Sequence, residues 1–175
     1  MNDNRFVIEK FEPKNTYYQQ KKFDCGNHII NKFVHSSLKK QVSQQFSQAF
    51  VLLDLENKER FSAFYTLTSF KLNANDLESL SQGSLPRDIP CVRLVMLGVD
   101  TSIQGQGIGR KMMSDALHRV HRASKDIGIY GLYLDAEPSA INFYLSLGFT
   151  RLDGGGSEDI GKMFLSISVI NQLLD

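Results

Sequence analysis

Tryptophan is absent from this 175-residue chain, and cysteine (two), proline (four) and histidine (four) are scarce. Cys25 and Cys91 have no CxxC spacing, which excludes a disulfide framework and fits a reducing compartment where each is a small buried apolar residue. His28, His35, His118 and His121 fall on two helix-like stretches outside any HExxH or Cys/His ligand pattern, so no metal site is expected. No run of about 18 apolar residues could cross a bilayer, and no stretch resembles a signal peptide. No membrane partner is therefore expected, and the cytoplasm is the expected location. The net charge of +1 lacks the basic excess of a dedicated nucleic-acid binder. Its distribution is less even. Residues 1–50 carry Arg5, Lys10, Lys14, Lys21, Lys22, Lys32, Lys39 and Lys40 against Asp3, Glu9, Glu12 and Asp24. Solvated helix faces explain this, an RNA-facing patch being the alternative.

The length suits one domain with a substantial apolar core, and residues 1–175 are read as a single domain. Phe6-Val7-Ile8 with Phe11 predicts a first strand, closed by Pro13 because proline lacks a ladder donor. Ile29, Ile30, Phe33, Val34 and Leu38 recur at helical spacing and predict one amphipathic helix, with Lys32, Lys39 and Lys40 toward water. Ala49–Leu55 and Phe61–Phe70 read as a hairpin around Glu56-Asn57-Lys58-Glu59. A polar segment follows from Lys71 to Pro90, with a short helix expected at Asp76–Leu80. Cys91–Val99, apolar apart from Arg93, predicts a central strand buried on both faces. Beyond a glycine-rich turn, Ile108, Met112, Ala116, Leu117 and Val120 form the stripe of a long helix. Ile129–Leu134 reads as a strand and Pro138–Leu147 as a short helix ended by Gly148. Phe149–Leu152 and Met163–Val169 read as two last strands, divided by a Gly154-Gly155-Gly156 turn.

Gly105, Gly107 and Gly109 lie between a strand and a helix, where backbone can approach a ligand closely and helix-start N–H groups point outward. The helix dipole adds about half a positive charge at that end, and Arg110 and Lys111 add full charges. A diphosphate suits such a place. The plainer reading of an isolated G-x-G is a turn shaped only for tight strand-to-helix geometry. Neither nucleotide motif fits: no Gly-Lys-Ser/Thr follows, and the third glycine comes one residue early for G-x-G-x-x-G.

Gln104-Gly105-Gln106-Gly107-Ile108-Gly109 resembles the Gln/Arg-x-x-Gly-x-Gly/Ala signature of the GNAT acetyltransferase superfamily at its strand-to-helix turn. The resemblance continues, in the family's order, through Leu97-Gly98-Val99-Asp100 and through the stretch from Ser139 to Phe149, which contains Asn142-Phe143-Tyr144. It implies an α/β (α+β) fold, with a mixed, mostly antiparallel sheet of six to seven strands and flanking helices. Its central parallel strands, here Cys91–Val99 and Ile129–Leu134, would splay to admit pantetheine. It further implies acetyl-CoA as co-substrate, no metal, and transfer of acetyl to an amine. Backbone of Leu97, Gly98 and Val99 would hold pantetheine, Gln104, Gly105, Gln106, Gly107, Ile108, Gly109 and Arg110 the pyrophosphate, and Asn142 and Tyr144 would flank the thioester. Tyr144 would be the general acid toward the departing thiolate, reference phenol and thiol pKa values lying only about 1.5 apart.

No residue announces itself as the base that would neutralise the amine. Asp135 and Glu137 are candidates, with an acidic turn before Pro138 as the equal alternative. An α-amine needs less help than lysine, since about a tenth of it, against under a thousandth, is neutral at pH 7. Within the superfamily, Phe23-Asp24-Cys25-Gly26-Asn27, the Leu85-Pro86 to Pro90 loop and Lys162-Met163-Phe164-Leu165 are similar to the toxin branch. That branch acetylates the α-amine of aminoacyl-tRNA and is paired with a ribbon-helix-helix antitoxin; the resemblance also implies a homodimer. Two positions depart from it: Met96 stands where the branch has arginine, and Asp135-Ala136 where it has His-Ala. The alternatives are an enzyme for a small-molecule or peptide amine, and a non-catalytic acetyl-CoA-binding module.

Overall fold

The computed structural model describes residues 4–77, 80, 83–153 and 158–175. Seven strands form one sheet: β1 (Phe6–Lys10), β2 (Gln48–Asp54), β3 (Arg60–Asn73), β4 (Asp88–Val99), β5 (Gly131–Ala136), β6 (Thr150–Arg151) and β7 (Gly161–Ser166). Their order is β1-β2-β3-β4-β5-β7-β6. The helices are α1 (His28–Ser36), α2 (Leu38–Ser43), α3 (Ile108–Ala123), α4 (Ile141–Ser146) and α5 (Ile167–Leu174). The mixed, mostly antiparallel seven-stranded sheet expected from the sequence is thus present. Two compact units are built on it, Met1–Thr68 with Val95–Ala116, and Ser69–Leu94 with Leu117–Asp175.

In the first unit β1, β2 and β3 form an antiparallel meander, Phe6 opposite Asp54 and Gln48 opposite Leu67. Its core is aromatic. Phe23 meets Phe61 and Phe64 edge-on at 5.4 and 5.7 Å between centroids, and Phe11 stacks on Tyr17 at 4.8 Å. The helix predicted over 29–38 is two helices, because Ser37 leaves helical geometry at φ −120°. The apolar stripe survives the break, as Val34, Leu38 and Val42 repeat every four residues and are all buried. Ile29, expected on that stripe, is instead 64% exposed. It is the second residue of α1, where Asn27 Oδ1 accepts from the N–H groups of Ile29 and Ile30 and fixes the helix start on the surface. Asp54, buried at the end of β2, accepts from Arg5 Nε and Nη2 at 3.0 and 2.7 Å. This paired bond holds its carboxyl below the usual carboxylate range.

In the second unit β5 and β7 run antiparallel over six registered positions, from Gly131 opposite Ser166 to Ala136 opposite Gly161. The parallel register of β4 with β5 covers only Val92 with Leu132 and Arg93 with Tyr133. Leu72, Leu77, Ile89, Cys91, Tyr133 and Phe164 form one buried cluster of this unit. The expected last strand, Met163–Val169, is corrected: β7 stops at Ser166, whose Oγ accepts from Val169 N–H at 3.2 Å and opens α5. The short helix expected at Asp76–Leu80 is a 3-10 turn over Ala74–Leu77; Glu78, Ser79 and the Gly154-Gly155-Gly156 turn lie outside the described residues. β4 is not buried on both faces either, for Val95 is 38% exposed and Leu97 and Val99 are half-buried. No described helix is long and apolar enough to cross a membrane.

Candidate active site

The glycine turn belongs to the first unit. β4 ends at Val99, and a 3-10 turn over Thr101–Ile103 carries the chain to Gln104. Asp100, only 2% exposed, organises this corner. One of its oxygens accepts from Ser102 N–H and Oγ at 3.0 and 2.7 Å; the other accepts from Asp24 N–H at 3.2 Å and Arg60 Nη2 at 3.4 Å. Its own N–H donates to Ser62 O, and Thr101 N–H to Asp24 O, both at 2.8 Å. The Phe23-to-Asn27 segment is thereby tied to the turn.

Gln104, predicted to contact the cofactor, spends both amide hydrogens on the protein: Nε2 donates to Val99 O at 2.8 Å and Cys25 O at 3.0 Å. Its side chain is a staple across the turn. Gly105 and Gly107 follow at φ +77° and +78°, the left-handed region that glycine enters without a Cβ penalty. A Cβ built on either meets nothing within 4 Å, so each presents bare backbone to open space. Gly109 is different, being the second residue of α3 with no positive φ. Lys111 N–H makes a helical bond back to Gly107 O at 3.1 Å, so the amides of Ile108 and Gly109 stand ahead of it at the helix start. Arg110 and Lys111 occupy the first turn, which contains no acidic residue. Cations there oppose the helix dipole, and an anion seated at the same end reverses that penalty. The donor set therefore fits a diphosphate.

Gly98, assigned with Leu97 and Val99 to pantetheine, has a packing reason of its own. A Cβ there would stand 3.1 Å from Ile30, Phe23 and Phe64 side chains, so its absence lets the aromatic core close on β4. Cys25 is half-buried, and desolvation pushes its thiol pKa up, away from a nucleophilic thiolate.

Tyr144 and Asn142 belong to the second unit, on α4, whose six residues start after a 3-10 turn with Pro138 in its first turn. Asn142 is exposed, whereas Tyr144 is buried. The Tyr144 ring lies edge-on to Phe143 and Phe149, centroids 5.1 and 5.6 Å away. Its hydroxyl has no hydrogen-bond partner among the described residues, and desolvation pushes the phenol up to about 12. Burial thus widens the gap of about 1.5 between the reference phenol and thiol pKa values. A phenol at about 12 gives its proton to a thiolate of reference pKa about 8.5 uphill by about 5 kcal/mol. The group is then fitted to donate a hydrogen bond to a developing thiolate, more than to complete the transfer early.

Asp135, a candidate base from sequence, is otherwise engaged: it accepts from Arg93 Nη2 at 2.9 Å and from Tyr133 OH at 2.7 Å, one bond to each oxygen. Phe70 stacks on Tyr133 at 4.9 Å and lies 5.4 Å beneath the Arg93 guanidinium, completing the cluster. Glu137 makes no side-chain cap bond to the turn it precedes. Among the described residues no group of His, Cys, Asp and Glu could hold a metal ion.

A family model described as an acetyltransferase (GNAT) domain matches residues 24–164, which contain the turn, Asp100 and Tyr144. The chain belongs to the GNAT acetyltransferase family. As a GNAT protein it is an acyltransferase whose co-substrate is acetyl-CoA. It is 30% identical over 91 residues to a tRNA-acetylating toxin of Mycobacterium tuberculosis, a match spanning 51% of this chain and about half, 55%, of that protein. To a probable toxin TacT of Sinorhizobium fredii it is 23% identical, over 96% of this chain and 94% of that one. Among solved structures, one described as a bacterial toxin superposes with TM-score 0.92 at 37% identity, covering 97% of this chain and 94% of that one. AtaT complexed with acetyl-methionyl-tRNAfMet gives 0.85 at 29% identity, with 97% and 99% covered. A tyrosine-to-phenylalanine mutant of AtaT, bound to the C-terminus of the antitoxin AtaR and acetyl-CoA, gives 0.81 at 29%, with 97% and 98% covered.

Two clusters, one in each unit, are not legible in the sequence. The Asp100 hub gathers partners from residues 24, 60 and 102. The Arg93, Tyr133 and Asp135 cluster depends on how two strands register. The Asp after Leu-Gly-Val and the Arg inside an apolar strand were the available signals.

Proposed function

We propose that this chain acetylates the α-amine of an aminoacyl-tRNA in the cytoplasm, as the toxin of a toxin–antitoxin pair. The observation that carries the reading is likeness over nearly the whole chain to AtaT, described in complex with an acetylated aminoacyl-tRNA. Leu97, Gly98 and Val99 hold the pantetheine arm. Gly105, Gln106, Gly107, Ile108, Gly109 and Arg110 hold the pyrophosphate, with Gln104 as the staple that sets the turn. Asn142 lies beside the thioester, and Tyr144 is the acid that stabilises the departing thiolate. The Arg93 and Tyr133 contacts of Asp135 support an acceptor that needs no strong base, as an α-amine does not. The partners are a ribbon-helix-helix antitoxin, in keeping with the antitoxin complex of AtaT, and a second copy in a homodimer.

Incubating the pure protein with labelled acetyl-CoA and, separately, charged tRNA, polyamines and peptides tests the acceptor. Label should appear on the aminoacyl group of the tRNA. Labelled peptide or polyamine with unlabelled tRNA would overturn the proposal.

A further inference from the structure

The basic bias of residues 1–50 becomes a localised surface in the fold. The 3-10 turn at Gln20–Lys22 sits against α1, Gln20 Nε2 donating to Val34 O at 3.2 Å. The recess they enclose with the start of α2 measures about 610 Å³. Lys21, Lys22, His35 and Lys39 line it among amide and hydroxyl side chains, and its lining contains no carboxylate. None of the three lysines makes an ion pair among the described residues. A second recess of about 560 Å³ shares Gln19 and Lys22 with the first and adds Tyr18, Lys58 and Arg60. Its one acidic residue, Glu56, is turned to Arg5 at 3.6 Å.

Tyr18 is 43% exposed, yet its backbone is fixed by Phe61 N–H donating to Tyr18 O at 2.9 Å. Lys58 Nζ stands 5.7 Å from the Tyr18 ring centroid. The phenol is lowered from its ordinary value, chiefly by a bond with Gln19, with Lys58, Lys22 and Arg60 adding to the effect. The backbone adds an independent sign: Gln19, Lys58 and Glu59 hold φ of +62°, +58° and +57° without being glycine. Such conformations persist where the surroundings over-determine them, and they cluster at binding sites.

We propose that this joined surface, from Lys39 through Lys21 and Lys22 to Tyr18 and Lys58, seats the phosphodiester backbone of an RNA, with the Tyr18 ring offering a stacking face. Mobile ammonium groups and amide donors suit phosphate oxygens, and an exposed ring suits an unpaired base or sugar. The first recess, free of carboxylates, suits a polyanion, and in the second the cations Lys22, Lys58 and Arg60 outnumber Glu56. The inference deepens the aminoacyl-tRNA reading and rests on it.

The test compares K21Q/K22Q/K39Q with a control, K71Q/R122Q/K125Q, that removes the same charge elsewhere. Binding of uncharged tRNA is measured from 50 to 200 mM salt, alongside steady-state acetylation of charged tRNA. The first variant should raise KM for charged tRNA about tenfold or more, with kcat and acetyl-CoA affinity at parental values. Its tRNA affinity should vary about 40-fold less over that salt range, as expected for three lost phosphate contacts. Tyr18→Ala should weaken tRNA binding with an unchanged salt slope, and the control should match the parent. Parental KM and salt slope in the first variant, while the parent acetylates tRNA, would overturn the surface alone. A parent that acetylates another amine and neither binds nor acetylates tRNA overturns the acceptor reading beneath it.

Discussion

Replacing Tyr144 by Phe removes one hydroxyl and leaves the packed ring in place. The ring is 6% exposed and edge-on to Phe143 and Phe149, contacts that phenylalanine keeps. The hydroxyl is desolvated and has no partner among the described residues, so its loss should leave stability unchanged or raise it by up to about 1 kcal/mol. Catalysis should respond quite differently. If the phenol hydrogen-bonds the departing thiolate, kcat should fall by about 10²- to 10⁴-fold, or about 3–5 kcal/mol of barrier. Release of the coenzyme A thiol with charged tRNA as acceptor reads the rate, and urea denaturation reads the stability. With its phenol at about 12, the parent should show no falling limb in kcat below about pH 10. The rising limb reports the acceptor instead, levelling near pH 8 for an α-amine and near pH 10.4 for a lysine, the approximate reference pKa values. A variant that folds like the parent and keeps kcat within about twofold would refute the acid role. A variant destabilised by more than about 1.5 kcal/mol would refute the packing argument.

Gly107→Ala forces a Cβ into φ +78° without a clash, so it should cost about 1–2 kcal/mol of stability in urea while raising KM for acetyl-CoA more than it lowers kcat. Parental KM for acetyl-CoA would argue against the turn as the pyrophosphate site. Asp100→Ala strips an acceptor from Asp24 N–H, Ser102 and Arg60 at once and should destabilise by about 2–4 kcal/mol; a loss under about 1 kcal/mol would mean that water replaces the carboxylate. The alkaline limb of stability offers a further check. Tyr144 has a folded value of about 12 above a reference of about 10, so its contribution is complete below pH 10 and disappears as pH rises toward 12. The parent should therefore lose up to about 3 kcal/mol more than Tyr144→Phe across that window, measured by urea titrations at each pH. Cys91, buried and with its thiol pushed up to about 11, should resist alkylation in the native protein longer than half-buried Cys25.

The turn and α3 are legible in the sequence because two independent local signals coincide there, glycines that must leave ordinary φ and an apolar stripe starting at Ile108. α5 is not legible in this way, and its residues read as the end of a strand. Ile167-Ser168-Val169-Ile170 has strand-like composition, and only Ser166 three residues before Val169 marks a helix start. Composition dominated the reading, whereas the cap decides the fold. The split at Ser37 is invisible to periodicity because Val34, Leu38 and Val42 continue one stripe through a non-helical residue. The roles of Gln104 and Asp135 lay further out of reach. A glutamine in a cofactor signature and a staple to Cys25 look alike until residue 25 is brought beside residue 104. Likewise, whether Asp135 is a base or a counter-ion depends on Arg93, 42 positions away.

The corner at Asp100 has a kinetic meaning. Its geometry is fixed by bonds within the protein, from Ser102, Asp24, Arg60 and Gln104, so ordering of the loop accompanies folding and not the arrival of the donor. A receptor prepared in this way captures its ligand without a slow rearrangement, and substitutions around it act mainly on residence time. Donor association should accordingly proceed in a single fast phase, with a heat-capacity change set by the contact area alone. The rigidity of a few buried hydrogen bonds would then appear as the shape of a binding transient.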